Sequence, residues 1–291
     1  MELKKGNLRL MGYKAFFMVL LSSLFLNVSL IVAAQKNCNK KRIILNNTRT
    51  RDSAGDKIAG FITELVNDAA RINVNLFSLT SVKILTAFTP LYVASRMVDE
   101  KLQCNFHDIT YHKNINQFPK SCHQIARYGV GIPMVALSSL AIFASDEDLR
   151  LTARMFALGL PFVQSGKDII KNLKCNACLR PWHQDFSIEK RSSGGFPSGH
   201  TANVVFMATL FGMRHGLKWG IPLGLFGVFV MVDFINCNRH YLSQIVAGAG
   251  LGLLFAFAAS TVVDQKLSES WCIAPDVDSG GAPVIKLTYA F

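Results

Sequence analysis

The sequence predicts an all-α fold, a polytopic membrane bundle of about six transmembrane helices. Half of the 291 residues are hydrophobic, only 17% are charged, and the mean hydropathy is +0.28, a balance that is uncommon in soluble globular proteins. Charge is also segregated, because long apolar stretches alternate with polar or basic connections. A membrane-spanning helix needs about 20 apolar residues, which most of these stretches approach. They cover residues 15–34, 76–94, 128–145, 151–170, 201–213, 217–235 and 241–263.

The segments on either side of the main apolar region have patterns of their own. Residues 1–34 join a basic start to an apolar run, which is typical of a signal peptide or of an uncleaved N-terminal anchor, and both remain open. Residues 35–75 are polar, but apolar residues recur at helical spacing from Ile58 to Ala69. This pattern predicts an amphipathic helix lying on the membrane surface. Residues 264–291 are predicted to form a flexible tail with at most a short strand.

Residues 76–263 form the predicted membrane domain, and its short connections determine which helix ends meet. The acidic connection at 146–148 is too short for anything but an antiparallel hairpin, and the basic turn at 214–218 predicts a second one. Successive helices therefore alternate in direction. This alternation brings three chemically distinctive residues to one membrane face: Arg180, His200 and His240.

The composition also excludes some classes of partner. The net charge is +12, but the lysines and arginines lie mainly at the ends of apolar runs, as the positive-inside rule and contact with anionic lipids require. We therefore expect membrane lipids and no nucleic acid as partners, and the oligomeric state is open. Cys175 and Cys178 form a C-x-x-C pair without the second pair or the histidines of a structural zinc site. The sequence predicts no metal and no cofactor.

A phosphate-binding pattern lies between Arg180 and His200. Pro197-Ser198-Gly199-His200 immediately precedes an apolar run, so it predicts a helix N-terminus, where unsatisfied N–H groups and the helix dipole attract an anion. Arg180 adds a planar set of donors that matches phosphate oxygens. Together these residues predict an anion site.

Three motifs resemble those of the phosphatidic acid phosphatase type 2 superfamily, which includes the vanadium haloperoxidases. They are Arg180-Pro181, then Pro197-Ser198-Gly199-His200, then the stretch from His240 to Gly248. The resemblance covers roughly residues 125–263. It implies a metal-independent phosphatase in which His240 is the nucleophile that forms a phosphohistidine and His200 is the general acid. It also implies phosphate binding by Arg180, Ser198 and Gly199.

Two of the family's cations are altered in this chain. The family lysine, seven residues before Arg180, is replaced by Leu173, and Lys174 lies one position away. One position rotates a helical side chain by about 100°, so Lys174 can bind phosphate only if the helix end unwinds. Phe234 occupies the position of the family arginine in the third motif, and Arg239 is the neighbouring cation that could bind phosphate instead.

The third departure concerns the nucleophile. Gln244 replaces the aspartate four residues after His240. A glutamine can orient the imidazole and set its tautomer, but it cannot stabilise an imidazolium by charge. Two functions therefore remain open: hydrolysis of a lipid phosphate or pyrophosphate, and a pseudo-phosphatase that binds lipid phosphates or serves as a structural membrane partner. Vanadate-dependent halide oxidation is a third, remote alternative.

The location of the active face is predicted from the same pattern. We expect the bacterial inner membrane, with the site on the periplasmic face, because the basic residues before the 76–94 stretch favour the inside. A cleaved signal peptide would instead leave those residues outside, so a cytoplasmic active face stays open. If that face is oxidising, disulfides are predicted between Cys104 and Cys122, and between Cys237 and the C-x-x-C pair.

Overall fold

The computed structural model describes residues 54–108, 110–111, 113–172, 179–181, 194–269, 271–277 and 283–289. The predicted signal peptide or anchor lies outside these residues, as do Leu173, Lys174 and the C-x-x-C pair.

Helices make up most of the described chain, which confirms the predicted helical membrane bundle. They are α1 (Ala54–Asn75), α2 (Leu79–Gln103), α3 (Lys120–Tyr128), α4 (Gly131–Phe143), α5 (Glu147–Lys171), α6 (Gly199–His215), α7 (Leu217–Asn236) and α8 (Leu242–Glu269). Two small antiparallel strand pairs accompany them: β1 (His107–Asp108) with β2 (Lys113–Asn114), and β3 (Trp271–Val277) with β4 (Pro283–Tyr289). The second pair lies in the segment predicted to be a flexible tail.

Fewer helices meet the length and composition of a membrane span than the sequence predicts. Among the described residues, the stretches 120–143, 217–236 and 242–268 do so, and α1 with α2 would make a fourth span, bent by 50°. Neither α5 nor α6 qualifies by itself: α6 has 17 residues, and α5 carries charges in both its first and last turns. These two helices contribute much of the buried core instead.

The predicted hairpin of α4 and α5 is present, and its acidic connection has a local role. Asp146 is the N-cap of α5, and its carboxylate accepts a hydrogen bond from the backbone N–H of Leu149 at 2.8 Å. Glu147 and Asp148 occupy the first turn, where negative charge is favourable. The connection therefore begins α5 immediately, and α5 packs back against α4.

The centre of the bundle is the contact between α6 and α8. A Cβ atom at Gly248 would collide with the carbonyl of Ser198, and one at Gly252 would collide with the carbonyl of Ala202. The two backbones therefore touch along two successive turns. On the other side of α6, the buried ring of Phe156 packs against Phe206 and Phe211, with ring centroids 5.1 Å and 5.6 Å apart.

Helix α1 has the predicted amphipathic pattern, but it packs against α5 and α8 with its charged side inward. Asp68 is buried, lies 2.7 Å from an Nη atom of Arg154, and accepts hydrogen bonds from Lys266 at 3.0 Å and 3.1 Å. Ile58 and Phe61, by contrast, are more than half exposed. The apolar side of this helix therefore faces outward, where a bilayer would cover it.

Candidate active site

A cavity of about 300 Å³ lies at the end of the bundle where α5 and α7 end and α6 and α8 begin. Both predicted histidines, His200 and His240, line it. No carboxylate is among its described lining residues, and a positive lining of this kind favours an anion. The cations around it are Arg127, Lys167, Lys171, Arg180 and Arg239.

Arg180 of the first motif lies in the wall of this cavity. Its guanidinium donates to the carbonyl oxygens of Arg239 and Gly194 at 3.4 Å and 3.5 Å, which are long hydrogen bonds. Burial lowers the pKa of Arg180 below its usual value, and the charge of Arg239 lowers it further. A bound anion would relieve both effects, because it would supply the missing counter-charge.

The second motif begins α6, as the sequence predicts. Ser198 is the N-cap, and Gly199 and His200 form the first turn and line the cavity. Ser198 itself is fully buried and is not among the lining residues. Its backbone N–H donates to the Gln244 carbonyl at 3.0 Å, and its hydroxyl accepts a hydrogen bond from Thr201 at 2.9 Å. In this structure Ser198 therefore joins α6 to α8, and of these two residues Gly199 is the one that lines the cavity.

The imidazole of His200 is held from two directions. Its Nε2 lies 3.2 Å from the carbonyl oxygen of Arg127, and because a carbonyl can only accept, Nε2 carries a proton. The ring also packs on Phe234, with centroids 4.8 Å apart. The other nitrogen, Nδ1, is therefore the one available for proton transfer in the cavity.

The hydrogen bonds of Gln244 determine the tautomer of His240. Nε2 of Gln244 donates to the Leu179 carbonyl at 2.7 Å, and Oε1 of Gln244 accepts from the Tyr241 backbone N–H at 3.2 Å. These two partners fix the direction of the amide, so Oε1 also faces Nδ1 of His240, at 3.2 Å. Nδ1 must then be the protonated nitrogen, and Nε2 keeps a free electron pair.

The surroundings of His240 favour its neutral form. Burial lowers its pKa to about 3, with the charge of Arg180 as the next cause. The ring is therefore uncharged at neutral pH, as a nitrogen nucleophile must be.

Phe234, in place of the family arginine, lies between the two histidines. Its ring centroid is 4.8 Å from that of His200 and 5.6 Å from that of His240. Its carbonyl accepts the backbone N–H groups of Arg239 and His240 at 3.0 Å and 3.1 Å. The substitution thus removes a charge from the cavity but keeps the loop before α8 in place.

Helix α2 anchors the same loop from the other side, a contact that the sequence analysis missed. Asp99 is buried and accepts hydrogen bonds from the backbone N–H and the hydroxyl of Ser243 at 2.9 Å and 2.5 Å. The hydroxyl of Tyr241 donates to Glu100 at 3.1 Å. Adjacent carboxylates at the end of a long apolar helix were the available signal, because such groups usually have a partner.

Three cations of the cavity also lie outside the motif positions. Lys167 and Lys171 are four residues apart on one face of α5, and Arg127 is in the last turn of α3. A Cβ atom at Gly199 would lie 2.5 Å from Cδ of Lys167, so the missing side chain of Gly199 lets Lys167 cross the N-terminus of α6. Lys167 also forms an ion pair with exposed Asp168 at 3.2 Å.

The cysteines of this face differ from prediction. Cys104, Cys122 and Cys237 are free thiols, so the predicted Cys104–Cys122 disulfide is wrong. Cys104 is exposed at the end of α2, whereas Cys122 is partly buried in the first turn of α3. Cys237 is partly buried beside Asp233 and His123, and this group of three side chains is the described cluster with metal-ligand spacing.

The fold and the cavity define an integral membrane protein with two histidines in a cationic pocket. Residues 151–268 match the family model described as PAP2 superfamily, and this match confirms the resemblance of the motifs. At the level of the family, the match supports a membrane lipid phosphatase.

A solved structure that the chain matches is the first transmembrane PAP2 type phosphatidylglycerolphosphate phosphatase from Bacillus subtilis. It is 19% identical, has a TM-score of 0.47, and the match covers 64% of this chain and 96% of that chain. No curated protein matches the sequence.

Proposed function

We propose that this protein hydrolyses a phosphate or pyrophosphate group from a membrane lipid through a phosphohistidine on His240. The observation that carries the proposal is the hydrogen bonding of Gln244, which leaves the neutral Nε2 of His240 with a free electron pair beside a cationic cavity. A nitrogen nucleophile and a set of anion-binding cations are the two parts that phosphoryl transfer to histidine requires.

The first step would be attack of His240 Nε2 on phosphorus. The bond from phosphorus to the leaving oxygen breaks, and protonated His200 gives its Nδ1 proton to that oxygen, since its Nε2–H is held by the Arg127 carbonyl. In the second step water attacks phosphorus, its proton goes to His200, and the P–N bond breaks to release phosphate. Arg180, Arg239 and Gly199 would hold the phosphate oxygens throughout.

The cations of α3 and α5 would replace those that the motifs lack. Lys167 lies across the start of α6 beside Gly199, and Arg127 is adjacent to the same turn because its carbonyl binds His200. Lys171 lies one turn from Lys167. With these residues the cavity has no deficit of positive charge, although Phe234 contributes none and Lys174 lies outside the described residues.

Removing these replacement cations is expected to weaken the reaction without destroying the fold. Arg127→Gln and Lys167→Gln should each lower kcat/KM roughly 10- to 100-fold, the value of a charge-assisted hydrogen bond, and the double variant should lose more than either. Lys120→Gln and Arg150→Gln are matched controls, because both cations are exposed on the same two helices and do not line the cavity. Unchanged kcat/KM in both cavity variants would exclude this role.

The second candidate function is binding of lipid phosphates without turnover. It is favoured by Gln244, because an amide cannot stabilise the imidazolium by charge as the family aspartate does. The cavity would then still bind a phosphate, and the two functions differ only in whether phosphate is released.

Phosphate release by the purified protein separates the two functions. Phosphatidic acid, phosphatidylglycerol phosphate and undecaprenyl pyrophosphate are the substrates to compare, since the motifs bind the phosphate rather than the lipid. Turnover of at least one of them, absent from the His200→Ala/His240→Ala double variant, is the expected result. Binding of all three lipids with no phosphate release would establish the second function instead.

We further propose that the 76–263 region is the catalytic unit and that the cavity opens to the periplasm from the bacterial inner membrane. Exposed Cys104 follows α2 at the cavity end of the bundle, because Gln103 bonds the Ile235 carbonyl at the end of α7. Labelling of Cys104 by a membrane-impermeant maleimide in cells with a permeable outer membrane is expected. Labelling only after lysis of the inner membrane would place the cavity on the cytoplasmic face.

A further inference from the structure

A second group of reactive side chains lies behind Phe234, outside the cavity lining. Asp233 is in the last turn of α7, Cys237 follows it by one turn, and His123 reaches both from α3. Nδ1 of His123 lies 2.8 Å from Oδ2 of Asp233, and Sγ of Cys237 lies 4.0 Å from the same oxygen. The three ligand atoms all lie within 4.8 Å of one another.

The carboxylate of Asp233 is incompletely satisfied. Its side chain is only 1% exposed, and Oδ1 is buried without a hydrogen-bond partner in the described chain. An ion pair with protonated His123 would account for Oδ2 but not for Oδ1. A buried carboxylate with one free oxygen is unfavourable unless something else binds it. The free oxygen therefore points to a missing ligand of positive charge.

The chemistry of the three side chains selects the kind of cation. An imidazole, a thiol and a carboxylate are ligands of zinc, whereas calcium and magnesium prefer oxygen ligands alone. Tetrahedral zinc bonds of about 2.0–2.3 Å place neighbouring ligand atoms about 3.3–3.7 Å apart. The sulfur of Cys237 would have to move inward by about 1 Å, and the His123–Asp233 pair would have to open by about 0.5 Å, which rotation of the side chains can supply.

We propose that His123, Asp233 and Cys237 bind one zinc-like divalent cation, with a fourth position open to water. Binding would release the thiol proton of Cys237 to solvent, because the sulfur must offer an electron pair to the metal. His123 would bind through Nδ1 with its ring proton on Nε2, so an imidazolium would release its Nδ1 proton to solvent and a neutral ring would only change tautomer. The negative charges of the thiolate and Asp233 would balance the two positive charges of the ion. The site is separate from the phosphate reaction, which needs no metal.

The position of the site gives it a structural consequence. On one side of the Phe234 ring lies His123, with ring centroids 5.9 Å apart. On its other side the Phe234 ring contacts both histidines of the cavity. A metal would also link α3 to the end of α7, from which the His240 loop continues. Occupancy is therefore expected to stabilise the walls of the cavity.

The test uses full-length protein in detergent, stripped with a chelator and titrated with Co²⁺ as a spectroscopic probe for zinc. We expect one equivalent to bind with a thiolate-to-cobalt charge-transfer band, and Zn²⁺ to displace it. Cys237→Ser should remove the band, and His123→Ala should weaken binding at least about tenfold. Cys104→Ser, which changes an exposed thiol, should change neither.

Two further variants keep the test decisive. Cys175→Ser/Cys178→Ser should retain the band, whereas its loss in that variant with retention in Cys237→Ser would assign the metal to the C-x-x-C pair and overturn the proposal. Thermal unfolding of chelator-treated Cys237→Ser should match that of the chelator-treated wild type, which separates loss of metal from loss of fold. Absence of any charge-transfer band in folded wild-type protein would also overturn it.

Discussion

Replacing His240 with asparagine is expected to abolish phosphate release, with a loss of roughly 10³-fold or more in kcat. The variant removes the Nε2 electron pair, and the proposed role of His200, the other histidine of the cavity, is proton transfer rather than attack on phosphorus. Asparagine remains polar and is smaller than histidine, so the buried loop before α8 should keep its fold. The measurement is single-turnover and steady-state release of phosphate from the best lipid of the panel.

Trapping the intermediate gives the same prediction a second readout. Wild-type protein quenched during turnover should carry phosphate that is labile in acid and stable in base, as a phosphohistidine is, and His240→Asn should carry none. His215→Asn is the matched control, because His215 lies at the opposite end of α6. Full activity in His240→Asn, or equal labelling of both variants, would show that another residue is the nucleophile.

Replacing Gln244 with leucine is expected to lower kcat about 10²-fold while KM changes little, because Gln244 orients His240 without lining the cavity. Leucine has a similar volume but cannot accept a hydrogen bond from Nδ1–H of His240, so the tautomer of His240 is no longer fixed. It also leaves the Leu179 carbonyl and the Tyr241 N–H without this partner, and some loss of thermal stability should follow.

Two controls distinguish orientation from a general defect. Gln265→Leu makes the same change at an exposed position of α8 and should leave kcat unaltered. Gln244→Glu keeps an acceptor for His240 but places a carboxylate oxygen near the Leu179 carbonyl, which now accepts from Nε2 at 2.7 Å. Gln244→Glu should therefore have lower activity than would be expected if its negative charge only stabilised the imidazolium of His240. A rise in KM with unchanged kcat in Gln244→Leu would contradict the orienting role.

The helical bundle and the meeting of the motifs were predictable because both depend on local pattern. Apolar runs indicate helices, and short connections indicate which helix ends meet. The sequence was therefore sufficient to place Arg180, His200 and His240 at one end of the helical bundle. The presence of Arg127 and Lys167 in the cavity was not predictable, because it depends on where α3 and α5 cross α6. Close passage of Lys167 over Gly199 is a contact between distant segments that no local spacing records.

The packing of the charged side of α1 against α5 and α8 was hidden from the sequence for a different reason. An amphipathic pattern reports a helix with two unlike sides, and in a soluble protein the apolar side faces the core. Next to a bilayer that rule reverses, since lipid solvates the apolar side and buried charges are paired within the protein. Asp68 with Arg154 and Lys266 is such a pairing, and only the position of the partners on α5 and α8 reveals it.

The backbone contact between α6 and α8 fixes the positions of the two histidines but not those of the cations on α3 and α5. Gly248 and Gly252 admit no side chain, so the separation of His200 and His240 depends on two polypeptide backbones that cannot move apart or together without disrupting the core. The cations on α3 and α5 are free of that constraint. Substitutions there could change the headgroup that is accepted while the reacting groups keep their spacing, so new substrate preferences would be sought in those two helices.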